Sequence, residues 1–345
     1  MDVRSKLVRH GDALCEEVSS FAEELGATSP ALATVALTTL GDLADRDTRH
    51  ARLLPVVLLE ALGRPGAPAR PAAVVSSLWW SGFERLRYAR GPHAVRSAMA
   101  TMTLLPHRYL ESLPGRSRVR ATWSEALTRA TTSAVDSLLA AFAPQPPVMT
   151  RERVLGEHMA TFGAACARDT AMAASLAGQD VNRWRQFGLM HGVLQGIAAD
   201  SADNADDATR ACRPAAAGWS AAGSSVAGWS AAGSSAATGI APPPPLLLAH
   251  AFTANPANQD RLARLRKEAA TAPNARVALC DLAHSGSAVR SYNQDVGRLR
   301  LQVLDLLAGI VAPGPFRTVV EESVDVAAEA ALARPRELLG ATAGA

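Results

Sequence analysis

The stretch Phe187-Gly-Leu-Met-His-Gly-Val-Leu-Gln-Gly-Ile-Ala-Ala-Asp200-Ser-Ala-Asp203 decides the fold. Its pattern is helical, and Asp180 is a suitable N-cap for a helix that runs to about Ala199. Two carboxylates, Asp200 and Asp203, close the stretch, and Asp206 and Asp207 follow. Four acids within eight residues offer enough oxygen ligands to hold one metal ion with help from phosphate. A polar helix end that leads into a loop is the alternative.

The composition favours an all-α protein. The chain has 345 residues, 48% of them hydrophobic and only 5% aromatic. Alanine and leucine, the residues that lose least on entering a helix, dominate, and alternating β-branched patterns are scarce. The net charge of +3, from 35 basic and 32 acidic residues, is too balanced to indicate a nucleic-acid partner. Only Lys6 and Lys267 are lysines, so arginine supplies nearly all the positive charge.

Cysteine spacing and the apolar runs predict a cytoplasmic protein. The four cysteines are widely spaced and form no CxxC pair, which is typical of reduced thiols. The first residues lack the apolar run of a signal peptide. The longest apolar runs, such as Leu53 to Leu59, are far too short to span a membrane.

One segment interrupts the helical pattern. Residues 1–203 and 246–340 read as successive helices of one domain, whereas residues 204–245 are rich in Gly, Ser, Ala and Pro. Within this segment the octapeptide GWSAAGSS at 218–225 recurs unchanged at 228–235. A ten-residue period is too short for a solenoid unit, so the segment is interpreted as a low-complexity loop insert.

Several segments share their order and spacing with the trans-isoprenyl diphosphate synthases, the polyprenyl synthetase family. In that family a Phe-Gly pair is followed, eleven residues after the glycine, by the second DDxxD motif. Phe187-Gly188 keeps this register here, with Ala199 in place of the first aspartate. The resemblance spans roughly residues 30–330 and is strongest over 150–203. The other similar segments are Leu53–Gly63, Glu157–Cys166 with His158 where the family has a lysine, Pro245–Ala251 and Leu282–Gly286.

The family's first DDxxD motif is degenerate in this chain. Ala89-Arg90-Gly91 resembles the RRG that follows it, and counting back places the motif at Trp80-Ser-Gly-Phe-Glu84. Only Glu84 in that stretch is a carboxylate, and the nearest other acids are Glu60 upstream and Glu111 downstream. The chain is therefore interpreted as a divergent member with degenerate aspartate-rich motifs.

The resemblance implies both a fold and a site. The fold is all-α, an isoprenoid synthase-like bundle of about 10–13 helices around a central cavity. In the family, Mg²⁺ ions held by two aspartate-rich helices bind the diphosphate that leaves, because Mg²⁺ prefers hard oxygen ligands. The residues implied here are Asp200, Asp203 and Glu84 for a weakened Mg²⁺ site, Arg49, Arg52 and Arg90 for the diphosphate, and Trp79, Trp80 and His158 for the pocket. Core packing is the alternative for the two tryptophans, and a hydrogen-bonded core histidine for His158. Arg90 forms a basic stripe with Arg85 and Arg87, for which a solvated helix face is the alternative.

Three functions are compatible with these residues. The first is a divergent prenyltransferase, or a terpene-cyclase-like enzyme, that acts on an allylic prenyl diphosphate. The second is a non-catalytic subunit that pairs with an intact synthase, since members of the family form dimers; a homodimer or a heterodimer is expected. The third is a helical binding protein that kept the fold and lost the chemistry.

Overall fold

The computed structural model describes the backbone of residues 2–44, 51–89, 91–114, 117–140, 149–210, 244–254, 256–269 and 272–342. The side chains of residues 202–210 and 334–342 and of a few single positions lie outside that description. Arg49, Arg90 and the repeat segment 211–243 fall outside the described residues altogether.

Every regular element in these ranges is helical, as the composition predicts. The α-helices are α1 Val3–Thr28, α2 Pro30–Asp42, α3 Leu54–Ala61, α4 Arg70–Tyr88, α5 Gly91–Met99, α6 Leu105–Ser112, α7 Ser117–Ala140, α8 Arg151–His158, α9 Ala164–Ala177, α10 Val181–Arg210, α11 Pro245–Ala254, α12 Gln259–Glu268, α13 Pro273–Ala283, α14 Gly286–Ile310 and α15 Pro315–Thr342. Two π-helical turns, Ala100–Leu104 and Met159–Gly163, make α5–α6 and α8–α9 continuous. Counting each joined pair once gives thirteen helices over the described ranges, which agrees with the expected number.

Helix ends follow the local sequence. The side chain of Asp2 accepts a hydrogen bond from the Ser5 N–H at the start of α1, and Thr150 caps α8 in the same way. Gly178, with φ of 64°, takes the left-handed conformation that ends α9. Helix α10 continues to Arg210, beyond the expected end near Ala199, because residues 200–210 contain no glycine or proline to break it.

The chain divides into two compact units, each made of several stretches of sequence. The first unit comprises Met1–Ser133, Ala164–Leu189 and Leu304–Ser323. Its central element is α4, which contacts α1, α2, α3, α5, α6 and α9. Residues 72–83 of α4 are all buried, so this helix is surrounded by protein on every side. Gly82 permits this packing, because a Cβ there would lie 2.6 Å from the Met102 Cα.

The second unit comprises Ala134–Gly163, Met190–Val303 and Val324–Ala345. Within it α11 contacts α8 and α13, and α12 contacts α13. The apolar run Leu246–Ala249 of α11 is buried throughout, as are Leu194 and Ile197 of α10. The expectation that both units form a single domain stays a prediction. None of the helices in the described ranges combines the length and the apolar content that a membrane span requires.

Two glycines of α10 allow close packing in the second unit, Gly192 against backbone and Gly196 against a side chain. A Cβ at Gly192 would lie 2.6 Å from the carbonyl carbon of Phe162 and 2.7 Å from the Cα of Gly163. A Cβ at Gly196 would lie 2.6 Å from the Nδ1 atom of His158. The neighbour of Gly192 is backbone in the π-helical turn, which cannot rotate aside as a side chain does.

We expect Gly192→Ala to destabilise the protein by about 1–3 kcal/mol, because overpacking outweighs the helix propensity that alanine gains. Gly297→Ala is the matched control, since Gly297 also lies inside a helix but a Cβ added there would meet nothing within 4 Å beyond the local backbone of its own helix. That variant should gain roughly 0.5–1 kcal/mol. Urea unfolding of both variants measures the difference, and equal stabilities would contradict the packing described for α10.

His191 makes folding stability depend on pH. Burial lowers the pKa of this imidazole from 6.5 to about 4, so the folded protein keeps it neutral. The unfolded chain binds a proton at His191 more readily than the folded protein does. The contribution of this histidine to the free energy of unfolding is therefore present above pH 6.5 and is lost as the pH falls towards 4. We expect the free energy of unfolding to lose about 3 kcal/mol from this group over that range.

The measurement is urea unfolding at several pH values for the native protein and for His191→Gln. The native protein should lose stability more steeply on acidification than the variant does. His93→Gln is the control, because it makes the same substitution at an exposed position of α5. If the free energy of unfolding depends on pH in the same way for the native protein and for His191→Gln, the role assigned to the burial of His191 is contradicted.

Candidate functional site

The residues expected at the site fall into both units. Arg52, Trp79, Trp80 and Glu84 belong to the first unit, and His158 and Asp200 to the second. The backbone of Asp203 lies in α10, but its side chain is outside the described residues. The described part of the site therefore consists of two clusters. We call them the first-motif cluster, around Glu84, and the second-motif cluster, around Asp200.

In the first-motif cluster Glu84 is paired with Arg52. Nη2 of Arg52 donates to Oε1 of Glu84 at 2.6 Å. The guanidinium carbon of Arg52 lies 4.9 Å from the centroid of the Trp80 ring, a cation–π distance. The Arg52 side chain is 10% exposed and that of Glu84 is 41% exposed. The carboxylate that the sequence indicates as a metal ligand thus has a cation bound to it already.

A second arginine–carboxylate pair lies on the same helix. Nη2 of Arg85 donates to Oδ2 of Asp42 at 2.7 Å, and the Ser81 hydroxyl donates to the same oxygen. Ser81, Glu84 and Arg85 share a face of α4 because they are three and four residues apart. The sequence analysis missed Asp42. This residue lies on α2, about forty residues before Arg85 in the chain, and no motif around it indicates a role.

Trp79 and Trp80 lie in the packed core of the first unit, which is the alternative that the sequence left open. The Trp79 ring stacks on Phe83 at a centroid distance of 5.0 Å and meets Trp80 edge to face at 5.4 Å. Nε1 of Trp79 donates to the Thr131 hydroxyl at 2.9 Å. The three rings fill space inside the unit. Their role as a pocket wall stays a prediction.

A buried ion pair supports these aromatic rings. Asp169 accepts hydrogen bonds from Nε of Arg168 and from the Ser76 hydroxyl, each at 2.8 Å, and from Nε1 of Trp80 at 3.4 Å. The guanidinium carbon of Arg168, whose side chain is fully buried, lies 4.7 Å from the centroid of the Trp79 ring. The sequence carried one signal for this network: two adjacent charged residues inside the otherwise small and apolar helix α9. Charges at such depth need partners.

The nearest acid upstream of the first motif, Glu60, has a separate set of partners. Its carboxylate accepts from Nζ of Lys6 at 2.9 Å and from the Gly66 N–H at 2.9 Å, and it lies 3.4 Å from Nε2 of His10. Burial acts to raise the pKa of Glu60, but these hydrogen bonds outweigh it and lower the pKa below its ordinary value. Glu60 lines a cavity of about 590 Å³ together with Lys6 and Phe316. It is therefore not available to the first-motif cluster.

The second-motif cluster pairs Asp200 with His158. Nε2 of His158 lies 3.3 Å from Oδ2 of Asp200, and both side chains are about 5% exposed or less. Gly196 leaves the space that the imidazole ring occupies. The next residue, Ser201, donates to the Ala331 carbonyl at 3.3 Å, and the Tyr292 hydroxyl donates to the same oxygen at 2.8 Å. These contacts hold the Asp200 turn of α10 on the buried side of its unit.

Glu157 adds a further charge to this cluster. Its carboxylate pairs with Nε of Arg153 at 2.9 Å, one turn away on α8. Burial raises the pKa of Glu157, and the negative charge of Asp200 adds to this effect, whereas Arg153 and His158 act against it. Sequence reasoning assigned no role to Glu157. Its adjacency to His158 was the available signal.

The described side chains do not fit Mg²⁺. Magnesium requires near-octahedral oxygen coordination and is commonly held by carboxylates with several waters. Among the described residues no group of three or more His, Cys, Asp or Glu side chains is arranged to hold a metal ion. Glu84 is bound to a guanidinium, and the neighbour of Asp200 is an imidazole, which suits softer metals. The side chains of Asp203, Asp206 and Asp207 lie outside the described residues.

Comparison with known proteins establishes the fold. No protein-family model matches the sequence, and no curated protein matches it. Among solved structures, similarity is found to a polyprenyl synthetase from Streptomyces coelicolor A3(2), with 19% identity, a TM-score of 0.64 and coverage of 94% of this chain and 99% of that one. A geranylgeranyl pyrophosphate synthetase from Pyrococcus horikoshii Ot3 is 13% identical and has a TM-score of 0.67. The match covers 94% of this chain and 99% of that one. A geranylgeranyl pyrophosphate synthase from Corynebacterium glutamicum, complexed with isoprenyl diphosphate and magnesium, is 13% identical and has a TM-score of 0.65. That match also covers 94% of this chain and 99% of the other.

These similarities confirm the predicted fold class. The chain has the all-α isoprenoid synthase fold along nearly its whole length. At identities of 13–19% the likeness is one of fold, and the chemistry has to be argued from the chain's own residues.

The buried Arg168–Asp169 pair yields a stability prediction. Asp169→Asn should destabilise the protein by about 3–5 kcal/mol, because it leaves the Arg168 guanidinium buried without its counter-charge. Replacing both residues, as Arg168→Met with Asp169→Leu, should recover most of that loss. Asp305→Asn, at an exposed position of α14, is the control and should change stability by less than about 0.5 kcal/mol. Chemical unfolding measures all three; an Asp169→Asn variant as stable as the control would contradict the network.

Proposed function

We propose that this chain is a polyprenyl synthetase-like protein of isoprenoid metabolism, a divergent prenyltransferase that acts on an allylic prenyl diphosphate. The observation that carries the proposal is the fold likeness, which covers 94% of this chain and 99% of each of the three solved structures compared above. A single helical motif recurs by chance in unrelated proteins, but an end-to-end match of this length does not depend on one motif. The register of Phe187-Gly188 and Asp200 supports the same assignment.

The reaction defines what the site has to supply. The allylic C–O bond breaks, its electron pair leaves with the diphosphate, and the double bond of the acceptor attacks the cation before a proton is lost. Positive charge near the departing oxygens lowers this barrier most. Of the three arginines proposed to bind the diphosphate, Arg52 is the one whose side chain is described. The proposed partners of Arg52, Arg49 and Arg90, lie outside the described residues.

The loss of carboxylates sets the expected rate. Removing one preorganised electrostatic group commonly lowers a rate by on the order of 10²–10³-fold. The first motif keeps only Glu84, which is committed to Arg52, and Asp200 faces His158. A weakened magnesium site at Asp200 and Asp203 stays a prediction, because the residues that surround Asp203 are not described.

One observation favours a second candidate function, that of a non-catalytic partner of an intact synthase. Both described carboxylates of the implied metal set are paired with residues of the same chain, Arg52 and His158. A subunit that relies on its partner for chemistry tolerates carboxylates that are paired within its own chain and so are not available to a metal ion. Such a subunit would co-purify with an aspartate-complete synthase from the same organism and shift the product length of that enzyme.

The experiment measures binding and turnover separately. We expect geranyl or farnesyl diphosphate to bind saturably to the purified chain. With isopentenyl diphosphate and Mg²⁺ present, longer prenyl diphosphates should form slowly, at least about 10²–10³-fold below the rate of an aspartate-complete synthase assayed alongside. Asp200→Ala should abolish turnover, whereas the exposed control Asp305→Ala should not.

The outcomes separate the candidates. Binding without turnover, together with co-purification of an intact synthase, would select the partner-subunit function. Failure of any prenyl diphosphate to bind, with or without Mg²⁺, would overturn the proposed function and leave a helical scaffold.

A further inference from the structure

The face of α4 that aligns with the first motif carries arginine–carboxylate pairs. Glu84 is bonded to Arg52 at 2.6 Å, and Asp42 is bonded to Arg85 at 2.7 Å. Each acid on this face is thereby matched by a guanidinium from the same unit. The inference below rests on the proposed function and specifies how the diphosphate of that function is recognised.

Arg52 is held in a defined position. One of its nitrogens donates to Glu84, and its guanidinium lies over the Trp80 ring, which is itself buried. A guanidinium presents five N–H donors, and Glu84 is bonded to one of its nitrogens. The fork geometry matches phosphate oxygens as well as it matches a carboxylate. Arg52 is thus built to exchange one anionic partner for another.

Glu84 controls access to Arg52. The Arg52 side chain is only 10% exposed, whereas that of Glu84 is 41% exposed. A diphosphate that approaches from solvent meets the carboxylate first and has to displace it from the guanidinium. Glu84 therefore competes with the ligand. A metal-ligand role for Glu84 would have the opposite effect on affinity, because the carboxylate would then attract the ligand through the metal.

We infer that prenyl diphosphate binds at this face through Arg52 without a metal ion, with Glu84 as an intramolecular competitor. A divalent cation would have to displace a hydrogen-bonded guanidinium that packs on Trp80 and would then find one carboxylate. The guanidinium keeps its charge at every physiological pH and needs no recruitment from solvent. The ligand class is an organic or inorganic diphosphate.

The test is calorimetric titration of geranyl diphosphate, and of inorganic pyrophosphate, into the full chain in EDTA and in Mg²⁺. The native protein should bind both ligands in EDTA, and added Mg²⁺, which complexes the free diphosphate, should leave the apparent affinity unchanged or lower it. Glu84→Gln should bind roughly tenfold more tightly, because the competing charge is gone. Arg52→Gln should bind roughly ten- to hundredfold more weakly, the effect of losing a charge-assisted hydrogen bond. Arg129→Gln, which removes an exposed arginine paired with Glu125, is the control and should bind as the native protein does.

The inference and the proposed function fail in different ways. If binding requires Mg²⁺ and is lost in Glu84→Gln, the inference is overturned while the proposed function stands. Affinities that do not change in either variant would also overturn it. If neither diphosphate binds in any buffer, the proposed function itself fails. The Glu84→Gln result decides the question even if Arg52→Gln does not fold, because it leaves Arg52 in place.

Discussion

Several buried and half-buried carboxylates among the described residues are paired with a basic side chain, and this constraint connects the packing to the site. A carboxylate transferred from water into a helical core loses several kcal/mol of hydration unless a charged or hydrogen-bonding partner replaces the water. Asp169 satisfies the requirement with Arg168 and two further donors in the first unit. Asp295 does so in the second, where Arg151 binds it with two nitrogens and His250 lies 3.1 Å away.

The same constraint operates where the sequence resembles a metal-binding motif. Glu84 and Asp200 are the two acids of the implied metal set whose side chains are described, and each has a partner from its own unit. A solvated acid cluster keeps oxygens available for Mg²⁺, whereas a paired acid offers them only after its partner is displaced. Under the proposed function, recognition of a diphosphate at such positions therefore depends on the basic partners of these acids. Arg52 is the clearest of these, because it is permanently charged and lies against an aromatic face.

The sequence predicted those features that depend on local pattern. Alanine and leucine content, helical spacing and breaker residues indicated an all-α chain, and the helices observed here and the solved proteins of similar fold confirm it. The pairing of Asp42 with Arg85 and of Ser76 with Asp169 could not be predicted, because it joins helices that are distant along the chain. The sequence placed His158 in the pocket by its register. Its position beside Asp200 follows from Gly196, whose missing side chain has meaning only once the two helices are packed. Arg49, Arg90 and the side chain of Asp203 stay predictions.

The fold and the chemistry of this chain respond to different parts of the sequence. Backbone packing tolerates few substitutions where atoms are in direct contact, as at Gly82 and Gly192, where any side chain would meet the backbone of a neighbouring segment. Close contacts of this kind, together with an apolar pattern, hold a helix arrangement that this chain shares with solved structures at 13–19% identity. Glu84 and Asp200 are under no such packing constraint, because each is held by a charge partner and not by contact with a neighbouring backbone. Such a pair can be exchanged while the helices stay in place, so under the proposed function the fold does not depend on a complete set of metal-binding acids.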